Sequence, residues 1–186
     1  MKMVDQTTVA VFAGGKSSRF GSVKSHALIN GKEFGAQIID TIKLAGFTKI
    51  VLVGGDPEDA DRWGVKFLQD LYFESGPLGA LITAMRSCKT DFLMTLPCDV
   101  PYIDEHCCDV LSELHQGFEV RVAVTDSPQW LCATWRISSI DAIHAEFHGG
   151  ERSIHKVIEK LKVEYVDIDE DLLKNINQPN QLKSRW

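Results

Sequence analysis

Short apolar runs alternate with amphipathic stretches along most of the chain, and this alternation constrains its fold more than any other feature. Val9-Ala10-Val11-Phe12-Ala13 and Lys49-Ile50-Val51-Leu52-Val53 read as buried strands. Between them Phe34, Ile38, Ile42 and Ala45 recur at about one helical turn, which gives one apolar helix face, and Gly46 stops the helix. The same reading predicts strands over 65–68, 91–96, 119–124, 129–135 and 163–168. It predicts helices near 58–63, 79–88, 103–114, 138–147 and 153–161, and a helical turn in 179–186. Strands alternating with helices imply an α/β fold of three layers, Rossmann-like, with a central and mostly parallel sheet. In such sheets ligands bind beyond the carboxyl ends of the strands. The segments after Ala13, Val53, Leu68 and Leu96 are therefore where chemistry is expected. With 186 residues, no internal repeat and no linker, residues 1–186 are expected to form a single domain.

The loop after the first strand is unusual. Ala13-Gly14-Gly15-Lys16-Ser17-Ser18-Arg19-Phe20-Gly21 combines glycines, hydroxyls and two cations. Glycine lets backbone N–H groups approach a ligand closely, and the cations supply charge, so the parts of a phosphate cradle are present. A flexible basic turn is the plain alternative. Neither the Walker A spacing nor GxGxxG is matched. From Gln6 to Lys32 the chain holds no carboxylate but carries Lys16, Arg19, Lys24 and Lys32. The net charge is −6, so this is a local positive segment on an acidic protein. That argues for a local anion site and against non-specific nucleic-acid binding.

Five cysteines occur at spacings that match no zinc framework, and reduced structural thiols are expected. Cys107 and Cys108 are adjacent and should point to different helix faces. Of the six histidines, only His144 and His148 have a helical spacing, and a solvated face is the expectation. Trp130 and Trp135, an odd number of residues apart, should lie on opposite strand faces. No apolar run approaches the ~20 residues of a membrane helix. The first residues lack the pattern of a signal peptide, so a cytoplasmic protein is expected.

Four segments together resemble one family. Ala13-Gly14-Gly15-Lys16-Ser17-Ser18-Arg19-Phe20-Gly21-Ser22-Val23-Lys24 resembles the AGGxSxRMGxxK motif of MobA-like nucleotidyltransferases. Gly76-Pro77-Leu78-Gly79 resembles GPLxG, Pro97-Cys98-Asp99-Val100-Pro101 resembles PCDxP, and Asn175-Ile176-Asn177-Gln178-Pro179 resembles NxNTP. They occur in family order and span nearly the whole chain. The resemblance, to the molybdenum cofactor guanylyltransferases among this family, implies a fold of the nucleotide-diphospho-sugar transferase type. It also implies transfer of GMP from Mg²⁺–GTP to the phosphate of molybdenum-bearing molybdopterin, with release of pyrophosphate. Relatives that use CTP usually carry AAG in the first loop, so Gly14 favours guanine. GTP and the molybdenum cofactor would be the small-molecule substrates, with transient contacts to proteins that supply or accept the cofactor.

The resemblance also implies residue roles. Phe12, Ala13, Gly14 and Gly15 would hold the nucleotide together with Lys24, Asp70, Gly79 and Asp99. Lys24, Arg19 and Asp99 would serve catalysis, Lys24 by offsetting phosphate charge and Asp99 as the Mg²⁺ ligand. Position alone allows Asp99 equally to cap the helix that begins near Asp104. Asp70 would bind the base or ribose, its alternative being a solvated loop residue. Arg19, Arg152, Asn175 and Asn177 would face the acceptor, although the asparagines suit turns equally well and Arg152 suits a surface ion pair. Four positions depart from the family pattern: Val23 where aspartate is frequent, Val53 where some relatives have asparagine, Trp130 where proline is usual, and Gln178 where threonine is usual. A cytidylyltransferase of the same superfamily and a non-catalytic nucleotide- or pterin-binding module are the competing readings.

Overall fold

The computed structural model describes residues 3–13, 26–29, 31–72 and 74–176. A short helix α1 (Met3–Gln6) leads into β1 (Thr7–Phe12). A hairpin of β2 (Leu28–Ile29) and β3 (Lys32–Glu33) precedes α2 (Phe34–Leu44) and β4 (Ile50–Val53). Then come α3 (Pro57–Trp63), β5 (Lys66–Leu68), α4 (Gly76–Ser87), β6 (Phe92–Pro97) and α5 (Glu105–Ser112). The remainder is β7 (Val120–Val124), β8 (Pro128–Arg136), a 3₁₀ turn (Ile137–Ser139), α6 (Ile140–His148), α7 (Ile154–Ile158) and β9 (Val163–Asp167).

The main sheet has seven strands in the order β5-β4-β1-β6-β8-β7-β9. Only β8 runs against its neighbours; every other pairing in this sheet is parallel. The expected parallel α/β sheet is therefore present, covered on both faces. Alternation along β1 divides the core. Val9 and Val11 join Ile38, Ile42, Trp63, Cys107 and Leu111 beneath α2, α3 and α5. Ala10 and Phe12 join Leu78, Leu81, Ile143 and Phe147 beneath α4 and α6. Each large aliphatic or aromatic side chain buried this way contributes about 1.5–3 kcal/mol. Trp135, fully buried, spends its one polar atom on the Thr95 hydroxyl, 3.0 Å away.

Most predicted elements are observed with ends shifted by a few residues. Three differences have physical causes. First, Trp130 and Trp135 pack toward the same core cluster rather than opposite faces. Val122 pairs with Ala133 while Ala123 pairs with Gln129, so β8 carries a bulge that resets the alternation between the two tryptophans. Second, Cys107 and Cys108 are both buried in the same cluster, because α5 is covered widely enough to take in neighbouring positions. Third, α1 and the β2–β3 hairpin are too short to show periodicity. The expected turn over 179–186 lies outside the described residues. Among those described, no helix is long and apolar enough to cross a membrane.

Candidate active site

The carboxyl ends of β1 and β6 are adjacent and in register, Phe12 beside Pro97. Beyond the strands, the Cys98 amide donates to the Phe12 carbonyl at 3.1 Å. Ala13 and Asp99 therefore leave the sheet from neighbouring strand ends. Ala13 is nearly buried and Asp99 half-buried. The helix-capping alternative for Asp99 is answered by its neighbour: Asp104 caps α5, accepting from the Cys107 amide at 2.7 Å. Asp99 also anchors the chain end through its backbone, its carbonyl accepting from the Ile176 amide at 2.9 Å. Ile176 is fully buried, which brings exposed Asn175 to the same strand end as Asp99. Gly14, Gly15, Arg19, Lys24 and Asn177, together with Val23 and Gln178, lie outside the described residues.

On the other side of β1 the chain turns sharply at Gly54-Gly55. The Ala13 amide donates to the Val53 carbonyl at 3.1 Å. Gly55 has φ +77°, and a Cβ there would come within 2.9 Å of the Ala13 Cβ, so the two turns can touch only with glycine at this position. The Val53 side chain is buried in the core, and its carbonyl is engaged by Ala13. A nucleoside contact from the Val53 side chain is excluded by that burial.

Asp70 follows β5 and is half-buried. Its Oδ1 accepts from the Tyr72 amide at 2.9 Å and from the Thr83 hydroxyl at 3.1 Å. This binds the turn to α4 and leaves Oδ2 without a contact of this kind among the described residues. Sequence reasoning missed Thr83, since no spacing marks it as a partner of Asp70. Gly79 has a packing reason to be glycine. A Cβ would meet the Tyr72 Cβ at 2.8 Å and the Tyr72 carbonyl oxygen at 3.0 Å.

Arg152 lies in the turn between α6 and α7. Its Nη1 donates to the carbonyls of Phe147 and Glu151, each at 2.7 Å, and its guanidinium lies 4.1 Å from the Phe147 ring centre. Among the described residues it is thus held by backbone and ring, and not in the surface ion pair allowed above. The Trp130 ring is 6.0 Å from that of His155. A hollow of about 270 Å³ opens beside Asn175, lined by Thr125, Gln129, Glu170 and Lys174. A wider one of about 860 Å³ opens at the opposite end of the sheet, near Thr8, Ile50 and Lys66, and none of the described candidate residues borders it.

Cys107, Cys108 and Cys132 are buried and poorly suited to act as nucleophiles. Burial, with the Asp104 charge nearby, pushes the Cys107 thiol up to about 12, and burial first of all pushes Cys108 and Cys132 well above the ordinary thiol range. His144 and His148 meet through their Nε2 atoms at 3.0 Å instead of pointing separately into solvent. Partial burial, then the proximity of His148 and Arg86, lowers the pKa of His144. Among the described residues no group of three or more His, Cys, Asp or Glu side chains could hold a metal ion. Mg²⁺ makes no such demand, because one or two carboxylates with phosphate oxygens and waters complete its shell. A half-exposed Asp99 at a strand end fits that chemistry.

The mostly parallel sheet brings Ala13 and Asp99 to adjoining strand ends, and by family the chain is a nucleotidyltransferase. The family profile of the MobA-like NTP transferase domain matches residues 9–165, and this chain belongs to that family. It is 26% identical over 163 residues to the probable molybdenum cofactor guanylyltransferase of Clostridium perfringens strain 13, covering 86% of this chain and 81% of the relative. It is 25% identical to the molybdenum cofactor guanylyltransferase of Desulfosudis oleivorans, covering 97% of this chain and 94% of the relative. The crystal structure of molybdopterin-guanine dinucleotide biosynthesis protein A from Archaeoglobus fulgidus superposes with a TM-score of 0.78 over 94% of each chain at 24% identity.

Proposed function

We propose that this protein transfers GMP from GTP to the phosphate of the molybdenum cofactor, releasing pyrophosphate and forming molybdopterin guanine dinucleotide. The observation that carries the reading is the Phe12–Cys98 bond, which holds the start of the glycine loop next to Asp99. The names of the relatives supply the base and the acceptor.

In this reading the amides of Gly14 and Gly15, with Lys24 and Arg19, bind the triphosphate. Phe12 and Ala13 form the floor from which the loop departs, and Asp70 accepts from the nucleoside through Oδ2. Gly79 lets α4 pack tightly against the turn behind it. Asn175, Asn177 and Arg152 hold the acceptor, with the hollow beside Asn175 as its entrance. An acceptor phosphate oxygen attacks the α-phosphorus as the bond to the β-phosphate oxygen breaks. That oxygen is already ionised near neutral pH, so no general base and no protein nucleophile are needed. Protein side chains contribute position and charge, which is what such transfers require. Mg²⁺, held by Asp99, supplies further neutralisation of the phosphates when bound.

The test is pyrophosphate release from GTP, CTP and ATP with Mg²⁺, with and without molybdenum cofactor. Release from GTP that depends on the acceptor is the expected result. Preference for CTP would identify a cytidylyltransferase, and binding without release would identify a carrier module.

A further inference from the structure

Helix α6 buries Ile143 and Phe147 in the core. One residue after each stands a histidine, His144 half-buried and His148 exposed, so the two rings share one side of the helix a turn apart. Their Nε2 atoms are 3.0 Å apart and their ring centres 4.2 Å apart, with the ring planes at 81°. A neutral imidazole has one N–H and one lone pair, so at most one of these nitrogens can donate to the other. The Tyr72 hydroxyl, 3.5 Å from His144 Nε2, is too distant to compete strongly.

The geometry of the pair favours a shared ion over a hydrogen bond. A straight N–H···N bond of this length would set the ring centres about 5.3 Å apart. Two imidazole nitrogens that hold one metal ion at about 2.1 Å and at a right angle lie about 3.0 Å apart, with ring centres about 4.6 Å apart. The observed 3.0 and 4.2 Å are nearer to the second arrangement. A right angle between nitrogens suits the tetragonal shells of Ni²⁺ and Cu²⁺, whereas tetrahedral Zn²⁺ would hold them about 3.4 Å apart.

The surroundings agree with a bound cation. His148 is the last residue of α6, and the carbonyl end of a helix attracts positive charge. Asp141, one turn before His144, also favours positive charge there. Arg86 opposes it, but its Nη1 donates to the Tyr72 hydroxyl at 2.9 Å and contacts neither ring. Desolvation first, then His148 and Arg86, keeps the pKa of His144 below its ordinary value, so its lone pair is free at neutral pH.

We propose that His144 and His148 form a two-histidine site for a divalent transition ion of the Ni²⁺ or Cu²⁺ kind. Among the described residues no third His, Cys, Asp or Glu completes a group with them, so water fills the remaining positions. The site is separate from the Mg²⁺ role given to Asp99 and stands whether or not the chain transfers GMP.

The test is a calorimetric titration of the full chain with Ni²⁺, without nucleotide or Mg²⁺. The native protein should bind one ion per chain at this pair. His144→Gln and His148→Gln should each weaken that binding about 10-fold or more, because the second nitrogen of a chelate acts at high effective concentration. His106→Gln, at an exposed histidine of α5, should leave it unchanged. Ni²⁺ should also raise the Tm of the native protein and not that of either pair variant. Loss in only one of the two pair variants, equal affinity in all the proteins, or no binding by the native protein would overturn the chelate. Tighter binding of Zn²⁺ than of Ni²⁺ would overturn the right-angle geometry on which the class of ion rests.

Discussion

The Cys98 amide donates to the Phe12 carbonyl at 3.1 Å, and this bond makes two distant sequence motifs into one place. Residues 12 and 98 are far apart in sequence, but β1 and β6 are parallel neighbours. Neighbouring strands lie about 4.8 Å apart, so groups leaving both carboxyl ends can share one ligand. Asp99→Asn keeps the backbone bonds on either side of it, including the one from Ile176. It should lower the rate of transfer about 100-fold or more and leave unfolding free energy within about 1 kcal/mol. Steady-state kinetics and urea unfolding read the two effects, and normal turnover would remove the metal-ligand assignment.

Asp70 has a structural half and a proposed ligand half. Asn at this position retains an Oδ1 acceptor for Tyr72 and Thr83. Asp70→Asn should therefore keep stability and raise the GTP KM about tenfold, the worth of one charge-assisted bond. Thr83→Val should show the reverse pattern, about 1 kcal/mol less stable with KM nearly unchanged. If Asp70→Asn left the KM for GTP untouched, Asp70 would be only a turn residue.

Gly79→Ala tests whether this glycine serves packing. Its Cβ would be driven to 2.8 Å from Tyr72 Cβ and 3.0 Å from the Tyr72 carbonyl oxygen, neither of which is the end of a flexible side chain. A loss of about 1–3 kcal/mol is expected in urea unfolding, from overpacking. A neutral effect would show that the turn at Tyr72 can yield.

The core and the site were not equally readable from sequence. Val9 to Phe12 are buried on both faces, and continuous apolarity announces such a strand. The strand-end positions of Asp99 and Asp70 were legible because each lies just past a readable strand, Asp99 also within the Pro97–Pro101 motif. The bulge that turns Trp130 to the side of Trp135 was not, because it depends on how β7 pairs with β8. The His26–Asp59 bond was invisible for a similar reason. A buried aspartate at the start of a polar-looking helix is marked only by the distant histidine that folding brings to it. Val53 shows the opposite case: its burial, unknown until the fold is seen, decides that its side chain contacts core rather than nucleoside.

The edge strand β9 carries a further test, in its response to acid. The Glu164 carboxylate accepts from Arg121 at 3.0 Å, from the His115 amide at 3.2 Å and from the His115 ring. Partial burial alone would raise its pKa, but these partners outweigh it and hold the pKa below the ordinary 4.5. The folded state therefore binds the Glu164 proton less readily than the unfolded chain. Its stabilisation is complete above pH 4.5 and is lost as pH falls through the lower folded value. Glu164→Gln should lose about 2–3 kcal/mol at pH 7, because the nearly buried Arg121 is left without its carboxylate. It should also flatten the fall in stability below pH 4.5 that the native protein shows. Urea unfolding at pH 7 and at a series of acid pH values measures both, and a variant with an unchanged acid slope would rule out Glu164 as a source of that sensitivity.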